Sequence, residues 1–294
     1  MLFGIFPALL TPFSADGLSI ELDKIKPLCD SLLDDGVDGF FACGTTGEGP
    51  YLSAEEKIRV LEETVRAASG RGKVLAQVGC GDLPGTLQVA KDVRRIGVDA
   101  VSLLQPWFFH CDAEAQYNYI ARVAETLDGF PMYLYNLPGL TGNNLEPAIL
   151  ERLQKRFPNI MGLKESGAPE LIQRWRPYQS AQFQVICGND TQMLRTLCHG
   201  GNAVVASTAN VLPKVFRALI DAVRASDWET AERQQEKINR FVDVIEGSNV
   251  VATIKACMKL KGLDAGFVRS PNRNLSEAEF ESLKVRLKEL EIIA

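Results

Sequence analysis

Histidine is almost absent from this sequence, since only His110 and His199 occur among 294 residues. Neither lies in an HxxxH or HxH arrangement, so the sequence disfavours a zinc site built from histidines. The seven cysteines are scattered, odd in number and form no CxxC pair, which is typical of a reducing cytoplasm rather than of a disulfide framework. We therefore expect no metal site, and cysteines that act as small apolar residues.

The sequence also lacks an excess of basic residues and a long hydrophobic run. Its net charge is −5 and its pI about 5.3, which disfavours binding to nucleic acid or to anionic membranes. The apolar stretch at residues 1–13 has no basic segment before it and meets Pro12, so we expect a strand there and not a signal peptide or membrane span. These features predict a cytoplasmic protein without nucleic-acid or membrane partners.

Short apolar runs alternate with longer amphipathic segments over residues 1–225. The runs lie at residues 5–10, 39–43, 74–78, 100–104, 132–135, 160–164, 183–187 and 203–207. They are nearly continuous in apolar residues, as in parallel strands covered on both faces. Eight such units without a GxGxxG phosphate loop favour a closed (β/α)8 TIM barrel over a doubly wound sheet.

The rest of the chain, residues 226–294, is predicted to be a helical extension of the barrel. Apolar residues recur there at helical spacing, and Ser276 with Glu279 forms a capping box that begins the last helix. The same signature, Ser53 with Glu56, begins a helix within the barrel region.

In a (β/α)8 barrel the chemistry lies at the carboxyl ends of the strands. Lys164 closes the sixth apolar run, where burial would disfavour the charged ammonium and favour the nucleophilic amine. For an isolated lysine at a strand end, the alternative is a side chain that reaches solvent or pairs with a nearby acid.

Two other strand ends supply groups that suit a 2-keto acid. Thr45 and Thr46 lie between glycines and offer hydroxyl and backbone N–H groups to a small carboxylate, although a plain turn is the alternative. Tyr135 offers a phenol that can transfer a proton. The alternative is a buried tyrosine whose hydroxyl group is only hydrogen-bonded. Together with Lys164 they would hold the acid, form an iminium that acts as electron sink, and transfer protons.

Six motifs follow one another along the chain, mostly at predicted strand ends. They are LLTPF at 9–13, GTTGEGPYLSAEE at 44–56, QVG at 77–79, YNLPGLTG at 135–142, GLKES at 162–166 and STANV at 207–211. With them the chain resembles the dihydrodipicolinate synthase / N-acetylneuraminate lyase family of class I, pyruvate-dependent aldolases, from Pro7 to about Leu290. The resemblance implies that Lys164 is the Schiff-base lysine.

The resemblance implies further catalytic and binding roles. Tyr135 would be the proton-transfer tyrosine, and Thr45 and Thr46 would hold the pyruvate carboxylate, with Thr45 in the hydroxyl relay. The remaining predicted binding residues include Leu140. They also include Gly188 and Val205, which match backbone positions of the pocket, and Asn189, Asp190 and Ser207, which match sites for distal hydroxyls in sugar-acid lyases. The family works without metal or organic cofactor, and its members are usually homotetramers built from dimers.

Two positions depart from the pattern of the lysine-biosynthesis synthases. Leu140 stands where they carry the arginine that holds the second substrate's carboxylate, and Phe108 stands where they carry a relay tyrosine. Leucine at position 140 is also the pattern of the neuraminate lyases, and the GTTGEGP and YLYN runs are similar to 2-keto-3-deoxygluconate aldolases. The strand-end segments contain no cation besides Lys164, which predicts a hydroxylated distal substrate end.

These observations predict a Schiff-base-forming, pyruvate-dependent lyase that acts on a 2-keto-3-deoxy sugar acid or related 2-keto acid. Three alternatives stay open. The chain could be a 4-hydroxy-tetrahydrodipicolinate synthase with a rearranged relay, an N-acetylneuraminate lyase, or a barrel that binds a keto acid without catalysis. The intact Lys164 and Tyr135 argue against the last, since carboxylate binding alone needs only the threonine loop.

Overall fold

The structure, a computed structural model, describes residues 1–245 and 249–293. Eight parallel strands form one sheet in the order β1-β8-β7-β6-β5-β4-β3-β2. The strands are β1 (Gly4–Pro7), β2 (Gly39–Ala42), β3 (Lys73–Gln77), β4 (Ala100–Leu104), β5 (Met132–Asn136), β6 (Ile160–Glu165), β7 (Gln184–Cys187) and β8 (Ala203–Ala206). A parallel bridge between Ala8 and Phe41 joins the two outer strands, so the sheet closes and the predicted (β/α)8 barrel is confirmed.

The apolar run predicted at residues 5–10 is longer than the strand that forms there. β1 ends at Pro7, and the next two residues bond to opposite neighbours. The Ala8 N–H donates to Ala206 O at 2.9 Å, whereas the Leu9 N–H donates to Phe41 O at 2.9 Å. Residues 8 and 9 therefore join β8 to β2 across the seam of the barrel instead of extending one ladder.

Helices follow the strands as the amphipathic segments predicted. They are α1 (Ile25–Asp34), α2 (Ala54–Ala68), α3 (Leu83–Ile96), α4 (Ala113–Leu127), α5 (Pro138–Thr141), α6 (Pro147–Arg156), α7 (Pro169–Trp175), α8 (Met193–Cys198), α9 (Pro213–Arg224), α10 (Trp228–Ile245), α11 (Val250–Leu260) and α12 (Glu277–Glu289). Both predicted capping boxes are present, with Ser53 and Glu56 at α2 and with Ser276 and Glu279 at α12. None of the helices in the described ranges is long and apolar enough to span a membrane.

Strand side chains alternate between the barrel interior and the layer under the helices. On β5, Tyr133 and Tyr135 belong to the inner apolar cluster, whereas Met132 and Leu134 belong to the larger outer core. This alternation follows from the two-residue period of a strand. β5 pairs with β6 so that Tyr135 lies opposite Lys164. The register therefore brings the predicted proton carrier and the predicted nucleophile together inside the barrel.

The last three helices follow the eighth strand–helix unit, which ends with α9 at Arg224. The first of them, α10, contacts the barrel near the seventh strand, where its Gln235 side chain donates to Asp190 O at 3.0 Å and accepts from the Leu194 N–H at 2.8 Å. The division into a barrel at 1–225 and an extension at 226–294 stays a prediction.

Candidate active site

A cavity of about 160 Å³ opens at the carboxyl ends of the strands. Its polar lining includes Thr45, Thr46, Tyr135, Lys164, Asp190 and Ser207, all named from the sequence. Leu140, Gly188 and Val205 also line it. The fold therefore gathers into one cavity residues that are far apart in the chain, as the location of chemistry in a (β/α)8 barrel predicts.

Lys164 lies at the base of this cavity and is 4% exposed. Its Nζ donates a hydrogen bond of 2.5 Å to Ser166 Oγ and lies 3.7 Å from the centre of the Tyr135 ring. Within residues 1–245 and 249–293 this lysine forms no ion pair. The solvent-exposed or acid-paired lysine that we considered for an isolated strand end is therefore not what the structure shows.

Gly188 leaves the space that the lysine side chain occupies. A Cβ at this position would lie 1.9 Å from Ser166 Oγ and 2.7 Å from Lys164 Nζ, both far inside van der Waals contact. Its N–H donates to Glu165 O at 2.7 Å, which fixes the end of β7 against β6. Any larger residue would have to displace Ser166 Oγ and Lys164 Nζ, or shift the end of β7.

Tyr135 and Thr45 bring two hydroxyl groups together on the cavity wall. Their oxygen atoms lie 3.2 Å apart, within hydrogen-bond distance. The Tyr135 ring also packs edge-on against Phe41, with ring centroids 5.7 Å apart. This packing fixes the ring beside the lysine, so the phenol is held at the point where a proton could be transferred.

The loop that follows β2 carries Thr45 and Thr46. Its turn closes through a hydrogen bond of 3.0 Å from the Glu48 N–H to Thr45 O. Glu48 has a φ of 54°, an uncommon conformation for a residue with a side chain. No protein acceptor in the described ranges takes the N–H of Thr45 or Thr46. Free N–H groups beside hydroxyls suit a small anion such as a carboxylate.

Asp190 is the acidic residue of the cavity wall. Its Oδ2 accepts hydrogen bonds from the Thr208 N–H at 2.9 Å, the Thr208 hydroxyl at 2.6 Å and the Ser207 hydroxyl at 3.2 Å. Burial raises the pKa of Asp190, and these hydrogen bonds together with the nearby Lys164 charge oppose that rise. A half-buried carboxyl held in this way can bond a substrate hydroxyl and would oppose a second carboxylate.

The other predicted residues are placed differently. The Asn189 side chain donates to Gly167 O at 3.1 Å and accepts from the Thr191 N–H and hydroxyl, so it is engaged in the loop and does not line the cavity. Leu140 on α5 lies at the mouth and is 69% exposed. Phe108, with a φ of 79°, is 85% exposed and packs on Phe109 rather than in the cavity.

Sequence reasoning missed two groups that act on the predicted ones. Ser166 receives the hydrogen bond of Lys164, and Thr208 holds Asp190. Ser166 could have been found, because it lies one residue beyond β6, where the two-residue period of the strand directs it to the face of Lys164. Thr208 could not, since its contact depends on how two loops meet. Among the described residues no group of three or more His, Cys, Asp or Glu side chains could hold a metal ion.

Comparison with known proteins decides the family. The model of the "Dihydrodipicolinate synthetase family" matches residues 1–290. The chain belongs to this family. It is 30% identical to the 4-hydroxy-tetrahydrodipicolinate synthase of Methanocaldococcus jannaschii, over 100% of both chains. Members of the family are class I aldolase-type lyases, and so is this chain.

Solved structures of family members align with this chain over nearly its whole length. The wild-type sialic acid aldolase of Ruminococcus gnavus aligns with a TM-score of 0.92 and 26% identity, covering 98% of this chain and 96% of that one. A prophage protein of the dihydrodipicolinic acid synthase family from E. coli K12, solved in complex with pyruvate, aligns with a TM-score of 0.92 and 27% identity over 99% of both chains.

Gly188→Ala tests whether the space around the lysine amine matters. We expect this variant to fold but to lose most of its activity, because the added methyl group must push Lys164 Nζ or Ser166 Oγ aside. Gly81→Ala is the matched control. It also adds a methyl group, but a Cβ there meets nothing within 4 Å, and Gly81 does not line the cavity. Steady-state kinetics with circular dichroism would check this, and a fully active Gly188→Ala would contradict it.

Proposed function

We propose that Lys164 forms a Schiff base with pyruvate or another 2-keto acid, and that carbon–carbon cleavage or formation proceeds through the enamine. The observation that carries this is the setting of Nζ, which lies buried in the cavity beside a hydroxyl and a phenol ring. No ion pair to a carboxylate in the described ranges competes for this amine. It can therefore attack a carbonyl carbon.

In the cleavage direction the amine adds to the carbonyl carbon and water leaves, which gives an iminium. Tyr135 supplies the proton with which this water leaves, and its phenolate then takes the proton of the hydroxyl on the second carbon beyond the iminium carbon. The bond from that hydroxyl-bearing carbon to the intervening carbon breaks, and an aldehyde leaves. The iminium takes up the electron pair and becomes an enamine. Protonation of the enamine carbon and hydrolysis then release pyruvate and the free lysine. The 3.2 Å separation of the Tyr135 and Thr45 oxygens supports a hydroxyl pair that shares the transferred proton.

We further propose that Thr45 and Thr46 bind the substrate carboxylate through their hydroxyl and N–H groups. This reaction needs no metal or organic cofactor, because the iminium itself is the electron sink. By analogy with the family, we propose a homotetramer that works in the cytoplasm. Pyruvate in the solved complex of the E. coli K12 relative supports pyruvate as the small product or substrate here.

For the distal end of the substrate we propose a 2-keto-3-deoxy sugar acid or a related hydroxylated keto acid. The cavity lining in the described ranges contains Asp190 and Ser207 but no cation besides Lys164. A second carboxylate would therefore lose water without gaining a counter-charge, whereas hydroxyl groups would find both an acceptor and a donor.

The second candidate is 4-hydroxy-tetrahydrodipicolinate synthase, the name of relatives in Methanocaldococcus jannaschii and Bacillus subtilis at 30% and 32% identity. The Ruminococcus gnavus structure, a sialic acid aldolase, favours the neuraminate-lyase alternative in the same way. Against the synthase stand Leu140, which supplies no cation, and Phe108, which supplies no relay hydroxyl. A panel of keto-deoxy sugar acids, neuraminate and aspartate semialdehyde with pyruvate would decide among them.

Reductive trapping tests the covalent step. Incubation with pyruvate and borohydride should attach one pyruvate-derived group per chain at Lys164, because reduction converts the iminium into a stable amine. Lys57 is the internal control, since it is fully buried but donates to Gly79 O at 2.8 Å and lies outside the cavity. Peptide mass spectrometry would locate the adduct. Trapping by a Lys164→Ala variant would show that the proposed nucleophile is wrong.

Tyr135→Phe tests the proton transfer. We expect kcat to fall by about 10²–10⁴-fold, the usual contribution of general acid–base catalysis, because the ring stays and only the hydroxyl is lost. Tyr133→Phe is the matched control, since Tyr133 lies on the same strand and face but bonds Gln184 Oε1 at 3.1 Å away from the cavity. Equal loss of kcat in both variants would argue against a specific role for Tyr135.

Leu140→Arg tests the substrate class. The added cation should raise kcat/KM for aspartate semialdehyde and lower it for polyol-bearing keto acids. A paired carboxylate is worth roughly 1–3 kcal/mol, or about tenfold to a hundredfold. Val285→Arg, an exposed apolar position on α12, controls for the added charge. If the unmodified enzyme already condenses aspartate semialdehyde faster than it cleaves any keto-deoxy sugar acid, the synthase alternative is correct.

A further inference from the structure

A buried ion pair lies next to the threonine loop but outside the cavity. Lys255 Nζ on α11 and Glu48 Oε1 are 2.8 Å apart, and the two side chains are only 3% and 1% exposed. Neither residue lines the cavity. Burying two charges removes their hydration, and apolar residues of similar size are often at least as stable. A contribution to the stability of the fold therefore does not by itself explain why this ion pair is present.

Lys255 reaches the loop by two routes. Its first is the direct bond to the Glu48 side chain. The second runs through Thr11, whose carbonyl accepts from Lys255 Nζ at 2.7 Å and whose hydroxyl donates to Gly47 O at 2.7 Å. Both routes end on the residues that directly follow Thr46. Lys255 thus restrains the loop directly through the Glu48 side chain and indirectly through Thr11.

Glu48 is fixed from its other side as well. Its Oε2 accepts from the Arg269 N–H and from the Asn272 side chain, each at 3.0 Å. Its backbone has a φ of 54°, and its N–H closes the turn onto Thr45 O. A side-chain-bearing residue keeps such a conformation only where its surroundings enforce it. Here the enforcing contacts come from α11 and the segment after it.

Burial and the pairing with Glu48 act on the Lys255 pKa in opposite directions. Burial lowers the pKa of Lys255 to about 8, and the Glu48 charge opposes that fall. Lys255 Nζ also donates to Phe267 O at 2.5 Å and lies 4.9 Å from the centre of the Phe13 ring. The acceptors around the ammonium therefore belong to the loop after β2 (Glu48), to the segment after β1 (Thr11) and to the segment after α11 (Phe267).

We propose that Glu48 and Lys255 are positioning residues that hold Thr45 and Thr46 in the conformation that binds the substrate carboxylate. The C-terminal helices thereby set the affinity of the barrel for pyruvate without touching it. This inference rests on the proposed function, because it assumes that the threonine loop is the carboxylate site.

The test uses Lys255→Met and Glu48→Gln in the full-length enzyme. Lys255→Met keeps the length of the side chain and removes the charge. We expect KM for pyruvate in the condensation assay to rise about tenfold or more, while kcat at saturating pyruvate changes much less, because the carboxylate contact acts in ground and transition states alike. Glu48→Gln retains an acceptor for its partners and should give a smaller rise in the same direction. It also keeps the test usable if Lys255→Met fails to fold.

Thr46→Val separates this inference from the proposed function. If Thr46→Val leaves KM for pyruvate unchanged, the proposed carboxylate site is wrong. If it raises KM while Lys255→Met and Glu48→Gln do not, the positioning role is wrong and the carboxylate site stands. If Thr46→Val and Lys255→Met each raise KM, the double variant Thr46→Val/Lys255→Met should raise it by much less than the product of the two separate increases, because both substitutions act through one loop.

Asp38→Asn is the matched control for lost stability. Asp38 pairs with Arg217 and accepts from the Ile5 N–H at 2.8 Å, just before β2 and thus at the opposite end of the barrel. This substitution should lower the unfolding temperature and leave KM for pyruvate unchanged. A rise of KM in Asp38→Asn as large as that in Lys255→Met would mean that general destabilisation causes the effect, and would overturn the inference.

Discussion

The pairing of β5 with β6 is the interaction on which the rest of the site depends. Its register sets Tyr135 opposite Lys164, and the two-residue period of a strand turns both side chains into the barrel. A shift of one residue would turn the side chains of a strand to its other face. Glu165 reinforces this register from the outer side, because its carboxylate accepts from Asn136 at 2.7 Å and from Trp175 at 2.8 Å.

Two features of the cavity leave the Lys164 amine accessible: the space at Gly188 and the absence of an ion pair to Nζ within the described residues. Gly188 provides the space, since no side chain larger than hydrogen fits beside the amine. Within the described residues Nζ forms no ion pair, and the acid of the cavity wall, Asp190, is bonded to Ser207 and Thr208 instead. The same arrangement that leaves the amine available also gives the distal end of the cavity an acceptor suited to hydroxyl groups.

Much of this could be predicted from sequence because the relevant signals are local. Continuous apolar runs indicated all eight strands, and the pairs Ser53–Glu56 and Ser276–Glu279 marked two helix starts. Since the strand ends of a barrel converge, their polar residues could be assigned to one cavity from the order of the strands alone. What could not be predicted depends on loops meeting in space.

Asn189 illustrates that limit, because its neighbour Asp190 lines the cavity while its own amide bonds Gly167 and Thr191. Adjacent loop residues have no fixed period, so their directions cannot be counted from a strand. The bond between Lys255 and Glu48 is harder still, as it joins residues 207 positions apart. No local pattern in the sequence connects them.

Closure of the barrel has a consequence for how the chain is made. β1 bonds to β8 along Gly4–Pro7, and Ile5 lies opposite Val204. During synthesis β1 leaves the ribosome long before β8, with which it pairs, has been made. One edge of the growing sheet therefore stays unpaired until the eighth strand emerges. Unpaired edges of partly folded chains favour association with other chains. We therefore expect the nascent chain to be most prone to such association until the eighth strand has paired with the first.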